Sequence, residues 1–159
     1  MLTNIISKLE KDYVYENPWV NTPYYWISIQ PSTVKGKIGE DIVSTYLNLT
    51  GYTSTKNQTP AWDLNVDDMR VEVKLSLLNK TGLFKFLQIR PNDDYTHMAL
   101  LAITYNSSDI YLIPKDELKD LKPQHSGERG SKDTYYLGIT PQELKIRYSL
   151  HNLNLCRQQ

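Results

Sequence analysis

The most constraining feature of the chain is an alternation of apolar and polar residues on both sides of Asp67-Asp68. Such alternation is typical of a β-strand with one buried face. The pair Asp67-Asp68 has turn chemistry, so the two runs form a predicted β-hairpin. The apolar residues of both runs share one face, which we expect to pack on the core: Trp62, Leu64, Val66, Met69, Val71, Val73 and Leu75.

The other face of the predicted hairpin carries charge. With Asp67-Asp68 as the loop, counting outward places Asp63 opposite Glu72, with Cβ atoms about 4.5–5.5 Å apart. Like charges in that relation are destabilising, so a positive group is expected between them. Lys74 lies two residues on along the same face, and a divalent cation would satisfy the carboxylates equally well. Magnesium is usually held by one or two carboxylates with several waters retained.

The strongest helical pattern precedes this hairpin. Its apolar positions are Val34, Ile38, Ile42, Tyr46 and Leu49, and Gly51 marks its end. Ser32 or Thr33, after Pro31, offers an N-cap. Gly36 and Gly39 lie on the same broad side, where missing side chains would let the helix lie close against a sheet. Glu40 is predicted to face the sheet from the rim of that contact.

The remaining pattern predicts an α/β fold of mixed α+β type, with a central mixed β-sheet flanked by helices and a mainly antiparallel middle. Residues 1–13 form a predicted helix, and 15–30 an irregular packed segment. The predicted strands are 51–55, 84–90, 96–104, 110–113 and 135–139, and the later helices are 115–121 and 141–149, with a polar loop at 123–133. The length of 159 residues fits a single domain, residues 1–159.

Composition limits the setting and the partners. No apolar run is long enough to span a membrane, and the single cysteine, Cys156, cannot form an intrachain disulfide, so a reducing cytoplasm is expected. The net charge is zero. Proteins that bind nucleic acid alone usually carry a basic surface, so any such surface here must be local or supplied by a partner.

The order of these residues resembles a known family. Asp63 followed by Glu72-Val73-Lys74 resembles the PD-(D/E)XK nuclease superfamily, and Gly39-Glu40-Asp41 resembles its acidic first motif. Residues 84–91, Asp94-Tyr95 and residues 110–114 are similar to its restriction endonuclease branch. The resemblance covers about residues 33–120 and implies a restriction-endonuclease-like core. Trp62 stands where the named motif has proline, with Pro60 close by.

The resemblance implies hydrolysis of double-stranded DNA to a 5′-phosphate and a 3′-hydroxyl, with Mg²⁺ as cofactor and Mn²⁺ as a substitute. Asp63 and Glu72 would bind the metal with the Val73 carbonyl, Lys74 would orient the attacking water, and Glu40 would position a water or a second metal. The candidate substrate contacts are Gln88, Ser76, Arg70, His125, Arg129 and Lys132.

The chain is similar in size and layout to the small catalytic subunits of heterodimeric type IIS restriction enzymes. That implies a larger recognition subunit, while a homodimer is the other arrangement considered. A repair or recombination nuclease of the same superfamily is an alternative, which the neutral charge disfavours. Another alternative is a non-catalytic interaction subunit, and a solvated hairpin face with a surface ion pair is the plainest interpretation of Asp63, Glu72 and Lys74.

Overall fold

The computed structural model describes residues 1–13, 16–124 and 133–155. The helices are α1 (Leu2–Tyr13), α2 (Tyr25–Ser28), α3 (Ser32–Leu49) and α4 (Pro141–Arg147). The strands are β1 (Ser54–Lys56), β2 (Leu64–Val66), β3 (Met69–Leu77), β4 (Phe84–Ile89), β5 (His97–Ile103), β6 (Ser108–Pro114), β7 (Lys122–Pro123) and β8 (Tyr135–Ile139). Two 3₁₀ turns complete the described elements, Lys115–Glu117 and Ser149–His151.

A five-stranded mixed sheet forms the centre, in the order β1-β2-β3-β5-β6. The predicted mixed sheet is therefore confirmed, and three of its four strand pairs are antiparallel as predicted. The exception is β3 with β5, which pair in parallel from Val71–His97 to Leu77–Ile103. The reason lies in β4, which leaves the central sheet and pairs with β8 in a second sheet of order β4-β8-β7. The chain then returns beside β3 in the same direction.

Both faces of the central sheet are covered. Strand β5 is buried from Met98 to Ile103, and its side chains alternate between two apolar clusters. One cluster lies under α3 and includes Val43, Leu47, Leu64, Val71 and Leu101. The other lies under β4, β8 and α4 and includes Phe84, Phe86, Met98, Leu100, Tyr111, Leu137 and Leu144. A strand buried on both faces reads as a continuous apolar run, as residues 98–103 do.

Helix α3 lies close to the sheet at one glycine only. A Cβ on Gly39 would lie 3.2 Å from Leu75 Cβ, whereas a Cβ on Gly36 would meet nothing within 4 Å. The close approach is thus confirmed for Gly39 and wrong for Gly36. The predicted Ser or Thr cap is also wrong, because Pro31 occupies the N-cap position and no side chain caps the helix. Gly51 adopts a φ of +101°, as a residue that ends a helix commonly does.

Other boundaries differ from the sequence pattern for local reasons. The first strand begins at Ser54, because Tyr52 N–H still bonds to the Leu47 carbonyl at the end of α3. The predicted helix 115–121 is only a 3₁₀ turn, since Leu118 is extended and the chain enters β7. Helix α4 begins as predicted at Pro141, where Thr140 accepts the Glu143 N–H at 3.1 Å. The predicted irregular segment contains the short α2, and most of the predicted loop 123–133 lies outside the described residues.

In the described parts of the chain, every helix is too short or too polar to cross a bilayer.

Candidate active site

The hairpin β2–β3 has the predicted register. Val66 pairs with Met69, Asn65 with Arg70, and Leu64 with Val71. Regular pairing stops there, one residue before the predicted match of Asp63 with Glu72. The Asp63 carbonyl instead accepts the Asn57 N–H at 2.9 Å, and Asp63 Oδ2 accepts the Val73 N–H at 2.8 Å. The carboxylate is therefore held by a backbone amide of the strand that carries Glu72.

Trp62 is not on the predicted core face. It packs against the cluster under β4, and its Nε1 donates to Asn65 Oδ1 at 2.8 Å. The Arg70 guanidinium lies 5.5 Å from the Trp62 ring centroid, and its Nε donates to the Asp94 carbonyl at 2.6 Å. Because Asp63 ends the ladder, the residue before it no longer follows the strand alternation. Arg70, a candidate substrate contact, is thus engaged by Trp62 and Asp94.

Asp63 lies in surroundings that disfavour its charged form. Burial, followed by the charge of Glu72, raises the pKa of the Asp63 carboxyl to about 7, although the Val73 N–H acts in the opposite direction. The charge of Glu40 contributes in the same direction as Glu72. The predicted repulsion between Asp63 and Glu72 is therefore present, and the Asp63 carboxyl titrates near neutral pH.

Glu72 is paired with Lys74 across one intervening residue of β3. Lys74 Nζ lies 3.0 Å from Glu72 Oε1, and the two side chains are only 16% and 18% exposed. Burial raises the pKa of Glu72, while the charge and hydrogen bond of Lys74 lower it. Lys74 thus provides the positive group that the facing carboxylates require.

Glu40 lies at the rim, as predicted, but with a partner that the sequence did not indicate. Lys56 Nζ lies 3.1 Å from Glu40 Oε2 and 2.8 Å from Asp41 Oδ1. Burial lowers the pKa of Lys56, but its hydrogen bonds to Asp41 and Glu40 outweigh this and raise it. The predicted first strand ended at residue 55, one residue before Lys56, so the sequence pattern gave no reason to expect Lys56 beside Glu40.

A cavity of about 440 Å³ is lined by Lys74 but not by Asp63, Glu72 or Glu40. It lies between the first turns of α3, the later half of β3 and β4, and its lining includes Lys35, Gly36, Lys74, Ser76, Lys85 and Gln88. Two candidate substrate contacts, Ser76 and Gln88, are therefore beside the candidate active site. Ser76 is 5% exposed, and its hydroxyl accepts the Lys85 N–H at 2.9 Å, which ties β3 to β4.

Gln88 faces the cavity because β4 is irregular. The strand alternates regularly up to Phe86, but Leu87 and Gln88 are then both exposed before Ile89 is buried again. Gln88 has a φ of +55°, which is rare for a residue with a side chain. Its N–H donates to Gln124 Oε1 at 2.7 Å. This β-bulge turns a side chain outward that regular alternation would have buried.

Tyr95 is a further group near the carboxylates. Its side chain is 3% exposed, and its hydroxyl has no hydrogen-bond partner among the described residues. Burial, together with the charges of Glu72 and Asp93, raises its pKa to about 12. The Lys115 Nζ lies 4.4 Å from the Tyr95 ring centroid. The sequence drew attention to Asp94-Tyr95 only as part of the family resemblance.

The oxygen atoms of Asp63 and Glu72 are the kind that Mg²⁺ prefers. Within residues 1–13, 16–124 and 133–155, no three His, Cys, Asp or Glu side chains come together as ligands of one metal ion. Two adjacent carboxylates still fit Mg²⁺, which commonly keeps several waters and binds substrate phosphate. The charge of Glu40 acts on both carboxyls, and Glu40 is itself paired with Lys56. Three candidate substrate contacts, His125, Arg129 and Lys132, lie outside the described residues, as does Cys156.

Comparison with solved structures identifies a nuclease of similar fold. The structure of a bacterial homing endonuclease, I-Ssp6803I, superposes with a TM-score of 0.53 and 17% sequence identity, covering 82% of this chain and 94% of that chain. At this identity the likeness concerns the fold, which is a nuclease-like α/β core. No protein-family model matches the sequence, and no curated protein matches it.

Proposed function

We propose that this protein is a magnesium-dependent DNA endonuclease. One observation carries the proposal: two adjacent, largely buried carboxylates, Asp63 and Glu72, share a site with Lys74, and the pKa of each carboxyl is raised. Such an arrangement is unfavourable for the fold alone, and perturbed carboxyls cluster at functional sites. The likeness in fold to a homing endonuclease supports the same conclusion.

The side chains divide the work of hydrolysis. Asp63 and Glu72 would hold Mg²⁺ with the Val73 carbonyl, and the metal would supply charge neutralisation and a more acidic water. Lys74 orients the attacking water and stabilises the negative charge that develops on the phosphate. The water oxygen bonds to phosphorus and releases a proton to solvent, while the bond to the 3′-oxygen breaks and that oxygen takes up a proton from solvent. The products are a 5′-phosphate and a 3′-hydroxyl. Glu40 positions a water at the rim.

The proposal includes a restriction type of action with help from a second subunit. The net charge of zero supports a partner that shares in holding the DNA. Helix α1 supports it too, because none of its residues is buried and Leu2, Ile5, Ile6 and Leu9 are exposed. A larger recognition subunit accounts for both observations, and a homodimer is the other form.

The test is conversion of supercoiled plasmid by the purified chain in Mg²⁺ and then in Mn²⁺. Lys74→Ala removes the charge next to Glu72, and Glu72→Gln removes a proposed metal ligand. Lys37→Ala is a matched control, since Lys37 is exposed on α3. We expect open-circular product from the native chain and from Lys37→Ala, and a loss of 100-fold or more, on the order of 10²–10³, in the two site variants.

The products distinguish the arrangements. Open circles indicate cutting of one strand at a time, whereas direct linear product indicates a homodimer. If the chain cuts nothing alone, metal-dependent DNA binding that is lost in Glu72→Gln would support a catalytic subunit that requires its partner. Equal cutting by Lys74→Ala and the native chain, or neither cutting nor metal-dependent binding, would overturn the proposal.

A further inference from the structure

The cavity beside Lys74 is locally positive, whereas the whole chain has no net charge. Three lysines line it, Lys35 from α3, Lys74 from β3 and Lys85 from β4, and its described lining contains no aspartate or glutamate. The protein as a whole has 18 basic and 18 acidic residues. Like charges gathered from three separate elements repel one another, so the cavity is electrostatically suited to an anion.

The cavity also borders a position of α3, Gly36, that carries no side chain. Glycine in a helix is about 1 kcal/mol less favourable than alanine. Gly36 nevertheless occupies the second turn of α3, and a Cβ there would meet nothing within 4 Å. Gly36 also lines the cavity, so the helix leaves room there that no side chain in the described part of the chain occupies.

Polar groups complete the lining. The β4 bulge turns the Gln88 amide side chain outward at the cost of an unfavourable φ of +55°. Residues with such strained backbone cluster at active sites and ligand-binding sites. Ser32, in the uncapped first turn of α3, also lines the cavity, and the amides of an uncapped first turn favour negative charge. Lysines, an amide and open space match the needs of a phosphate group.

We propose that this cavity binds a phosphate of the DNA strand next to the phosphate that is cut. The proposal rests on the proposed nuclease function and adds Lys35 and Lys85 as substrate-binding residues. Lys74 lies at the boundary, with its ammonium bound to Glu72 on one side and the cavity on the other. A phosphate held there fixes the strand so that the next one reaches Asp63 and Glu72.

The test measures binding apart from cutting. Fluorescence anisotropy with a labelled DNA duplex, in EDTA and in Ca²⁺ at several salt concentrations, is compared for the native chain and for Lys35→Gln/Lys85→Gln. The control is Lys37→Gln/Lys122→Gln, which removes the same charge from exposed positions on α3 and on the second sheet that do not line the cavity. Circular dichroism and Tm establish that both double variants fold.

We expect the cavity variant to bind about 10-fold more weakly and to reduce the slope of log Kd against log salt by about 1 or more. The control should change the slope by much less. In plasmid cleavage, the cavity variant should have a higher KM and keep most of kcat. The reason is that Lys35 and Lys85 would contact a phosphate other than the one that is cut.

The outcomes separate the two proposals. Equal salt slopes for the cavity and control variants, or no DNA binding by the native chain at low salt, would overturn the phosphate site. Cleavage that persists in that case would leave the nuclease function standing. Binding that depends on Lys35 and Lys85, in a chain that neither cuts DNA nor binds it in a metal-dependent way, would keep a phosphate-binding cavity and overturn the nuclease.

Discussion

The two sides of Lys74 differ sharply. On one side, Asp63, Glu72 and Glu40 bring negative charge together. Burial raises the pKa of both Asp63 and Glu72, the charge of Glu72 adds to the shift of Asp63, and the charge of Glu40 adds to both. On the other side, an open cavity gathers lysines and no described acidic residue. A chain of zero net charge can thus separate its charges locally, and local separation is what attracts a charged ligand.

Replacing Lys74, which lies between the acidic side and the cavity, should have the largest effect on stability and on cleavage. Lys74→Met leaves Glu72 without its cation among the carboxylates and removes a charge from the cavity. Breaking a fully buried ion pair costs about 3–5 kcal/mol. Both side chains keep some exposure, so we expect a loss of about 2 kcal/mol in the free energy of unfolding, measured with urea, together with loss of cleavage.

The matched control for this variant is Lys56→Met. Lys56 also pairs with two carboxylates, but it is 42% exposed. An exposed pair contributes about 0–1 kcal/mol, so its loss should be small. If the two variants were equally stable, the low exposure of Glu72 and Lys74 would add nothing to the strength of their ion pair. The Glu72–Lys74 pair would then not differ in stability contribution from the pairs of Lys56 at the rim.

The next effect concerns the acidic side and depends on pH. The pKa of Asp63 rises from 3.8 to about 7 on folding. The folded state therefore binds more protons than the unfolded state within that window, and stability is lost as the pH rises through it. Asp63→Asn removes this penalty and still offers an oxygen to the Val73 N–H. We expect a gain of about 1–2 kcal/mol at pH 8, after discounting for partial exposure, and almost none at pH 4.

Urea denaturation at the two pH values without divalent metal would measure this gain. Asp68→Asn is the control, because Asp68 is exposed in the turn of the same hairpin. A gain for Asp63→Asn that is the same at pH 4 and pH 8 would show that the carboxyl does not titrate as described. Cleavage by Asp63→Asn should be lost despite the higher stability.

A smaller effect should appear at the β4 bulge on the basic side. Gln88→Gly relieves the positive φ, and Gln88→Ala removes the same amide but keeps the strained backbone. We expect Gln88→Gly to be about 0.5–1 kcal/mol more stable than Gln88→Ala, with both weakening DNA binding equally. Thermal unfolding and anisotropy measure the two quantities. Equal Tm values would show that the bulge stores no strain.

The smallest effect compares two glycines of α3. Gly36→Ala meets open space and should stabilise the helix by about 0.5–1 kcal/mol. Gly39→Ala gains the same helix propensity but places its methyl group 3.2 Å from Leu75 Cβ, so the gain should be cancelled or reversed. Urea midpoints of the two variants measure the difference. An equal gain in both would mean that α3 does not press on β3 at Gly39.

Local patterning predicted much of this molecule. The alternation around Asp67-Asp68 was enough for the hairpin and its register, because side chains in strands repeat every two residues and the turn fixes which residues face each other. Helix α3 and the placement of Glu40 at its rim followed from helical spacing. The hairpin also predicted that the charges of Asp63 and Glu72 interact, and the charge of Glu72 raises the pKa of Asp63 although the two residues are not paired in the ladder.

Other features depended on contacts that no local pattern carries. The parallel pairing of β3 with β5 results from β4 joining β8, which lies far along the sequence. No sequence pattern distinguished Lys35, Lys56 and Lys85 from other lysines. The fold places Lys56 at the rim beside Glu40, and Lys35 and Lys85 in the lining of the cavity. Trp62 lies off the expected face because the ladder ends at Leu64, one residue before the predicted pair of Asp63 with Glu72.

One continuous stretch, Ser32–Leu77, contains every side chain to which we assign a role at the carboxylates. These side chains are Glu40, Asp63, Glu72 and Lys74. Contacts between residues near in sequence lower the contact order and form quickly, whereas the pairing of β4 with β8 must close a long loop. We therefore expect the carboxylate site to be assembled early in folding and the β4 side of the cavity late. Pulse-labelling hydrogen exchange would reveal this as protection of Val71 and Val73 before Phe84 and Phe86.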